Sequence, residues 1–186
     1  MDKETLRIET KAKIAGFDRV YIEESDCGIL RNLISLPEFI AAPRIFSYIS
    51  IGREADTINF IEYCLKLGKQ VALPTDFIDC NMNFALLDCS LSELELGKYG
   101  IPAPNPNAER LIPNANDIIV VPALCYDNNF YRLGRGGGYF DKYLSNCRAF
   151  SVGICREKLV IPEVPRDIFD ISVNCLVTEE RIARPI

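Results

Sequence analysis

Four glycines and two arginines fall within the fourteen residues Tyr131 to Leu144, YRLGRGGGYFDKYL. Gly134, Gly136, Gly137 and Gly138 lack a β-carbon, so the chain can turn sharply there and bring several N–H groups onto one anion. Arg132 and Arg135 add planar, permanently charged donors that match the oxygens of a phosphate or carboxylate. From Tyr139 the pattern turns amphipathic, with Phe140, Tyr143 and Leu144 at helical spacing, so the loop is expected to open a helix. A helix N-terminus carries roughly half a positive charge, which favours a phosphate there. Asp141, in the first turn, is suited to a Mg²⁺ ion that accompanies a nucleotide. The plainer alternative is a tight loop with solvated arginines and a capping aspartate. Neither GxxxxGK[ST] nor GxGxxG occurs, so an ordinary P-loop or dinucleotide fold is disfavoured.

The chemistry open to this loop is narrowed by what the chain lacks. No histidine is present, which removes Ser–His and Cys–His catalysis and histidine-ligated zinc. Proton transfer falls to carboxylates, Lys, Tyr, Cys or the substrate. The eight cysteines are scattered without a CxxC pair and read as reduced and mostly buried. Lys and Arg number 21 against 26 Asp and Glu, an acidic balance that argues against nucleic-acid binding. The charged N-terminus MDKETLRIETKAK is unlike a cleavable signal, and no apolar run approaches a membrane span. A cytoplasmic protein is expected.

The supporting elements follow from periodicity. Residues 2–16 read as a helix with Lys3 and Arg7 on one face. A second helix runs from Val20 to Leu36, weakened by Gly28 and ended by Pro37. Arg44 to Ser50 reads as a buried strand, residues 55–67 as an amphipathic helix and Gln70 to Leu73 as the next strand, together a parallel βαβ unit. Glu54 sits where the first strand hands over to its helix, at the edge where open α/β sheets bind ligands. Residues 82–89 suggest a strand, 92–116 a Pro/Asn-rich loop with little regular structure that could wall the site. Ile118 to Leu124 is a strand leading to the glycine loop, which is followed by a helix to about Asn146 and strands at Phe150–Cys155 and Val173–Thr178. The alternation predicts a single domain over 1–186, a three-layer α/β/α sandwich around a mostly parallel sheet.

Taken together, these residues resemble the 5-formyltetrahydrofolate cyclo-ligase family over nearly the whole chain. The likeness rests on KxxLR at Lys3–Arg7, YIS…EADT at 48–57, VP…D at 121–127, RLGRGGGYFDKYL at 132–144 and PxD…VT at 165–178. The glycine loop is the most diagnostic, being close to the family's LGxGGGYYDR. The chain departs from the family at Phe140, at Lys142 in place of Arg, at Arg166 in PRD, and in about three extra residues before Val173.

The resemblance implies an ATP- and Mg²⁺-dependent ligase that closes 5-formyltetrahydrofolate to 5,10-methenyltetrahydrofolate. Lys3, Arg7, Arg132, Leu133, Gly134, Arg135, Gly136, Gly137, Gly138, Tyr139 and Phe140 would contact ATP. Ile49 and Glu54 would contact the folate, with the loop Arg135–Tyr139 between the two substrates. Asp141 and Asp167 match the Mg²⁺ positions, and Arg135, Arg132 and Tyr139 are the catalytic candidates. The expected partner is a small-molecule folate, polyglutamylated in some forms, handled by a monomer. Two alternatives stay open: a non-catalytic folate- or nucleotide-binding protein, and an ATP-using enzyme acting on another amide.

Overall fold

The structure is a computed structural model and describes residues 2–185, the side chain of Tyr99 excepted; Met1 and Ile186, the ends of the expected domain, lie outside it. Helix α1 (Lys3–Ala15) starts at Asp2, whose carboxylate accepts the Thr5 N–H at 2.8 Å, and α2 (Arg19–Ile34) starts in the same way at Asp18. These are ordinary aspartate N-caps. Pro37 does not close α2 directly. The helix stops at Ile34, and Pro37 instead opens a short helix, α3 (Pro37–Ala41), from its first position. A proline N–H is not needed there, and the ring forces the preceding Leu36 into extended backbone.

Strand β1 (Arg44–Phe46), helix α4 (Ile58–Lys66) and strand β2 (Gln70–Ile78) form the expected unit, with β1 and β2 parallel and Ile45 opposite Val71. Strand β3 (Asn81–Leu86) returns antiparallel to β2. Next come the two-residue strands β4 (Glu95–Leu96) and β5 (Pro102–Ala103), which pair with each other, and β6 (Arg110–Leu111), which joins β3. Residues 92–116 are therefore more ordered than their Pro/Asn content suggests, because a small hairpin and an edge strand take up backbone groups that side-chain pattern cannot reveal.

Strand β7 (Ile118–Val121) leads to β8 (Cys125–Asp127), which pairs with β9 (Arg132–Leu133); α5 (Tyr139–Leu144) follows and ends two residues earlier than expected. Beyond it lie β10 (Phe150–Ile154), β11 (Val160–Ile161) beside β8, β12 (Cys175–Val177) and β13 (Ile182–Ala183), the last an antiparallel edge strand too short to be read from the sequence. The main sheet has the order β13-β12-β10-β7-β1-β2-β3-β6, its five central strands parallel.

Alternation along these strands makes the layers. Ile45, Val71, Leu73, Ile118 and Val120 pack on one face with Leu33, Phe39 and Phe60 of α2, α3 and α4. Their neighbours Phe46, Ala72, Ile119 and Val121 pack on the other with Leu6 of α1 and Leu144 of α5. A strand covered on both faces reads as continuous apolar sequence, as IIVV does. The architecture is the expected α/β/α sandwich. Gly28 is no flaw in α2: a β-carbon there would sit 2.7 Å from that of Glu179, so its absence lets the β12–β13 turn approach the helix.

Candidate functional site

A cleft of about 2000 Å³ opens over the C-terminal ends of β1, β2 and β7, where parallel sheets leave room for ligands. Every residue expected to contact nucleotide, folate or metal lines it: Lys3, Arg7, Ile49, Glu54, the run Arg132–Asp141, and Asp167. They come from four distant stretches of chain. Parts of residues 93–106 line it too, so that segment is the wall its length suggested.

Glu54 is held by the loop after β1. Thr57 and Ser50 exchange hydrogen bonds, Ser50 N–H to Thr57 Oγ1 at 2.9 Å and Thr57 N–H to Ser50 Oγ at 3.1 Å, which fixes the ends of the turn. Glu54 Oε2 accepts the Ile51 N–H at 2.9 Å. Its Oε1 receives Nε and Nη2 of Arg135 at 3.0 and 2.6 Å. Beside it the Tyr48 phenol is raised well above its ordinary pKa, first by burial and then by the Glu54 charge, and stays protonated.

The glycine loop enters from β9 and is anchored by Asp127, which is fully buried. Asp127 accepts N–H groups of Asn129, Tyr131 and Val164 at 2.8, 3.0 and 3.0 Å. Three amide donors on one carboxylate make this a structural anchor, which the VP…D spacing alone did not disclose. Arg7 of α1 donates Nε to the Gly134 carbonyl at 2.9 Å and lies against Gly136, whose φ is +106°. Gly138 caps α5 at φ +68° with no side-chain hydrogen bond. An L-residue is strained in that region. Because α5 has only six residues, its dipole adds little beside the guanidinium groups of Arg7, Arg132 and Arg135 that line the cleft.

Arg132 is buried, its Nη1 donating to the Ile171 carbonyl at 2.9 Å. Its Nη2 lies 2.7 Å from Asp141 Oδ1, an ion pair, and makes no hydrogen bond among the described residues. Asp141 Oδ1 also accepts the Ile171 N–H at 3.1 Å. Lys3 donates to Asp167 Oδ2 at 2.7 Å and to Asp170 Oδ2 at 2.6 Å. Burial pulls the Lys3 pKa down, but these hydrogen bonds outweigh it and leave the ammonium above its ordinary value.

Two neighbours escaped the sequence reading. Asp170 shares Lys3 and accepts the Asp167 N–H at 2.6 Å; the Asp-x-x-Asp spacing was its only signal. Phe77 of β2 meets Tyr139 edge to face, with ring centroids 5.2 Å apart, a contact no local pattern encodes. Among the described residues no group of three or more Asp, Glu, Cys or His side chains could cage a metal. Two carboxylates expected at the metal, Asp141 and Asp167, do line the cleft, and Mg²⁺ commonly uses one or two carboxylates with phosphates and water.

A parallel-sheet sandwich whose C-terminal edge carries a glycine-rich loop, the basic side chains of Lys3, Arg7, Arg132 and Arg135, and carboxylates paired with them falls in the class of α/β proteins that hold ligands at that edge. Within that class the chain belongs to the 5-formyltetrahydrofolate cyclo-ligase family, whose model matches residues 2–179. The Escherichia coli 5-formyltetrahydrofolate cyclo-ligase is 26% identical over 81% of this chain and 86% of its own. The solution structure of Aquifex aeolicus 5,10-methenyltetrahydrofolate synthetase superposes with a TM-score of 0.85 at 31% identity, covering 99% of this chain and 93% of that one. A 5,10-methenyltetrahydrofolate synthetase from Mycoplasma pneumoniae shares the fold, with a TM-score of 0.78 at 21% identity over 96% and 99% of the two chains.

Proposed function

We propose that this chain, acting over residues 1–186 as one domain, uses ATP and Mg²⁺ to close 5-formyltetrahydrofolate to 5,10-methenyltetrahydrofolate, releasing ADP and phosphate. The observation that supports this most is the convergence of the Lys3/Arg7/Arg132 set and the Glu54 turn on one cleft, with Arg135 spanning the two. The reading carries with it a cytoplasmic monomer and a folate substrate with or without a polyglutamate tail. It includes no nucleic-acid or membrane partner; among the described residues no helix is long and apolar enough to cross a membrane.

A formamide carbon is a poor electrophile, so the formyl oxygen first takes the γ-phosphoryl group, and ADP leaves with the electron pair of the broken P–O bond. The resulting N5-iminium phosphate is attacked by N10. N10 gives up its proton, and phosphate departs with the C–O electron pair. Most of the catalytic work is alignment and charge neutralisation. Arg132, Lys3, Arg7 and the amides of Gly134–Tyr139 grip the triphosphate. Arg135 follows the transferring group, Tyr139 with Phe140 packs against it, and Glu54 and Ile49 hold the pterin. Asp141 and Asp167 would hold Mg²⁺, which would supply charge neutralisation at the phosphates, and Lys3, now paired with Asp167 and Asp170, would turn to phosphate oxygens.

Purified protein with 5-formyltetrahydrofolate and Mg-ATP should develop the methenyl absorbance, dependent on both substrates. No ATP-dependent product at any enzyme concentration would reject the reading, and calorimetric ligand binding without phosphate release would identify a binding protein instead.

A further inference from the structure

Arg156 follows β10, outside the stretches that line the cleft, and is 1% exposed. Its guanidinium donates in four directions: Nε to Ser25 Oγ at 2.9 Å, Nη1 to the Arg53 carbonyl at 3.0 Å, and Nη2 to Asp26 Oδ1 at 2.6 Å and to the Glu54 carbonyl at 3.3 Å. The same Asp26 oxygen accepts the Asp56 N–H at 3.1 Å. Buried Arg156 and its partly exposed partner Asp26 therefore grip three backbone atoms of the turn that carries Glu54. On the opposite side Arg53 ties that turn to the end of α1, donating to the carbonyls of Ala15 and Phe17 at 3.0 and 2.6 Å.

An interior ion pair is weak evidence for stability, since a packed apolar residue often serves as well. What an apolar side chain cannot do is donate to two consecutive carbonyls and orient the carboxylate between them. Directly behind Glu54, Arg156 also borders a void of about 20 Å³, room for little more than one water molecule, so the turn has scant space in which to repack.

We propose that Arg156, with Asp26 as its counterion, is a positioning residue for the folate side of the cleft, holding the Glu54 carboxylate towards Arg135 and the incoming pterin. This rests on the assignment of Glu54 to the pterin given above. The nucleotide side has its own anchors, Asp127 and Arg7, so the effect of the pair is confined to one substrate.

The test uses the full chain carrying Arg156→Met, Arg156→Lys and Asp26→Asn, with KM for 5-formyltetrahydrofolate, kcat and the calorimetric Kd for Mg-ATP measured on each. Arg156→Met should raise the folate KM at least tenfold and Arg156→Lys about fivefold, with the Mg-ATP Kd unchanged within twofold. In a Glu54→Gln background the penalty of Arg156→Lys should shrink to twofold or less, because there is no carboxylate left to orient. If Arg156→Met does not fold, Arg156→Lys and Asp26→Asn decide. A folded Arg156→Lys with wild-type folate KM, equal losses for both substrates, or a penalty that persists beside Glu54→Gln would overturn the positioning role while leaving the proposed reaction intact. A wild-type protein with no activity on 5-formyltetrahydrofolate would overturn both.

Discussion

Arg135 of the glycine loop and Glu54 of the β1–α4 turn meet across the cleft, both guanidinium contacts falling on Glu54 Oε1 at 3.0 and 2.6 Å. The arginine side chain is 54% exposed and the glutamate 13%, so Arg135 is the partner with room to move into the cleft. In the proposed reaction this pair joins the group that orients the pterin to the group that follows the phosphoryl, and it must loosen as folate takes Glu54. Arg135→Ala is expected to lower kcat/KM by roughly 10²-fold or more, the scale of one lost donor to a transition-state oxyanion. Glu54→Gln should mainly weaken folate binding. Steady-state kinetics on both variants separate the two effects, and equal changes for the two would contradict the division of labour.

Arg132 offers a different kind of test. Its replacement by Met removes the cation beside Asp141, which can still be solvated from the cleft, and the donor to the Ile171 carbonyl, a loss of about 1–2 kcal/mol. Arg132→Lys keeps the charge but loses the planar fork, so folding should be better preserved than Mg-ATP affinity. Urea unfolding and calorimetry on the same two proteins check this; if Lys restores full nucleotide affinity, Nη2 has no part in phosphate binding.

Lys3 is held by Asp167 and Asp170. Lys3→Met should raise KM for Mg-ATP about tenfold or more, as expected for one charge-assisted hydrogen bond, with little change in the folate KM. An unchanged nucleotide KM would show that the ammonium serves the two aspartates alone.

The αL backbone at Gly138, φ +68°, has open space around it, so conformation and not crowding is what a side chain meets there. Gly138→Val should destabilise by about 1–2 kcal/mol, and Gly138→Asn by less, since asparagine tolerates this region. Thermal unfolding of the two variants should keep that order.

Arg110 grips Asp76 with Nε at 2.6 Å and Nη2 at 3.1 Å, joining the wall segment to the β2–β3 hairpin. The Arg110 hydrogen bond is the main reason the Asp76 carboxyl lies below its ordinary value of 3.8. A carboxyl with a depressed folded pKa contributes stability that is present above the ordinary value and lost as pH falls through the folded one. The stability gap between wild type and Arg110→Gln should therefore be present at neutral pH and close as the pH falls below 3.8. It should stay under ~1 kcal/mol, because both side chains are about a third exposed. Urea midpoints across that range give the measurement, and a gap that widens on acidification contradicts the assignment.

Continuous apolar runs such as IIVV, punctuated by Gly and Pro, determined the layered α/β class and the central strands from the sequence alone, because burial on both faces leaves that mark on every residue. The glycine–arginine loop was legible for a similar reason: cradling an anion demands particular residue types at adjacent positions. What no local pattern could contain were pairings between distant segments. The edge strands β6 and β13, the hold of Lys3 on Asp170, and the grip of Arg156 on the turn around Glu54 arise only when the sheet order brings those stretches together. Hydrogen bonds and charge contacts act over a few ångströms in space, and only the folded chain decides which residues share that distance.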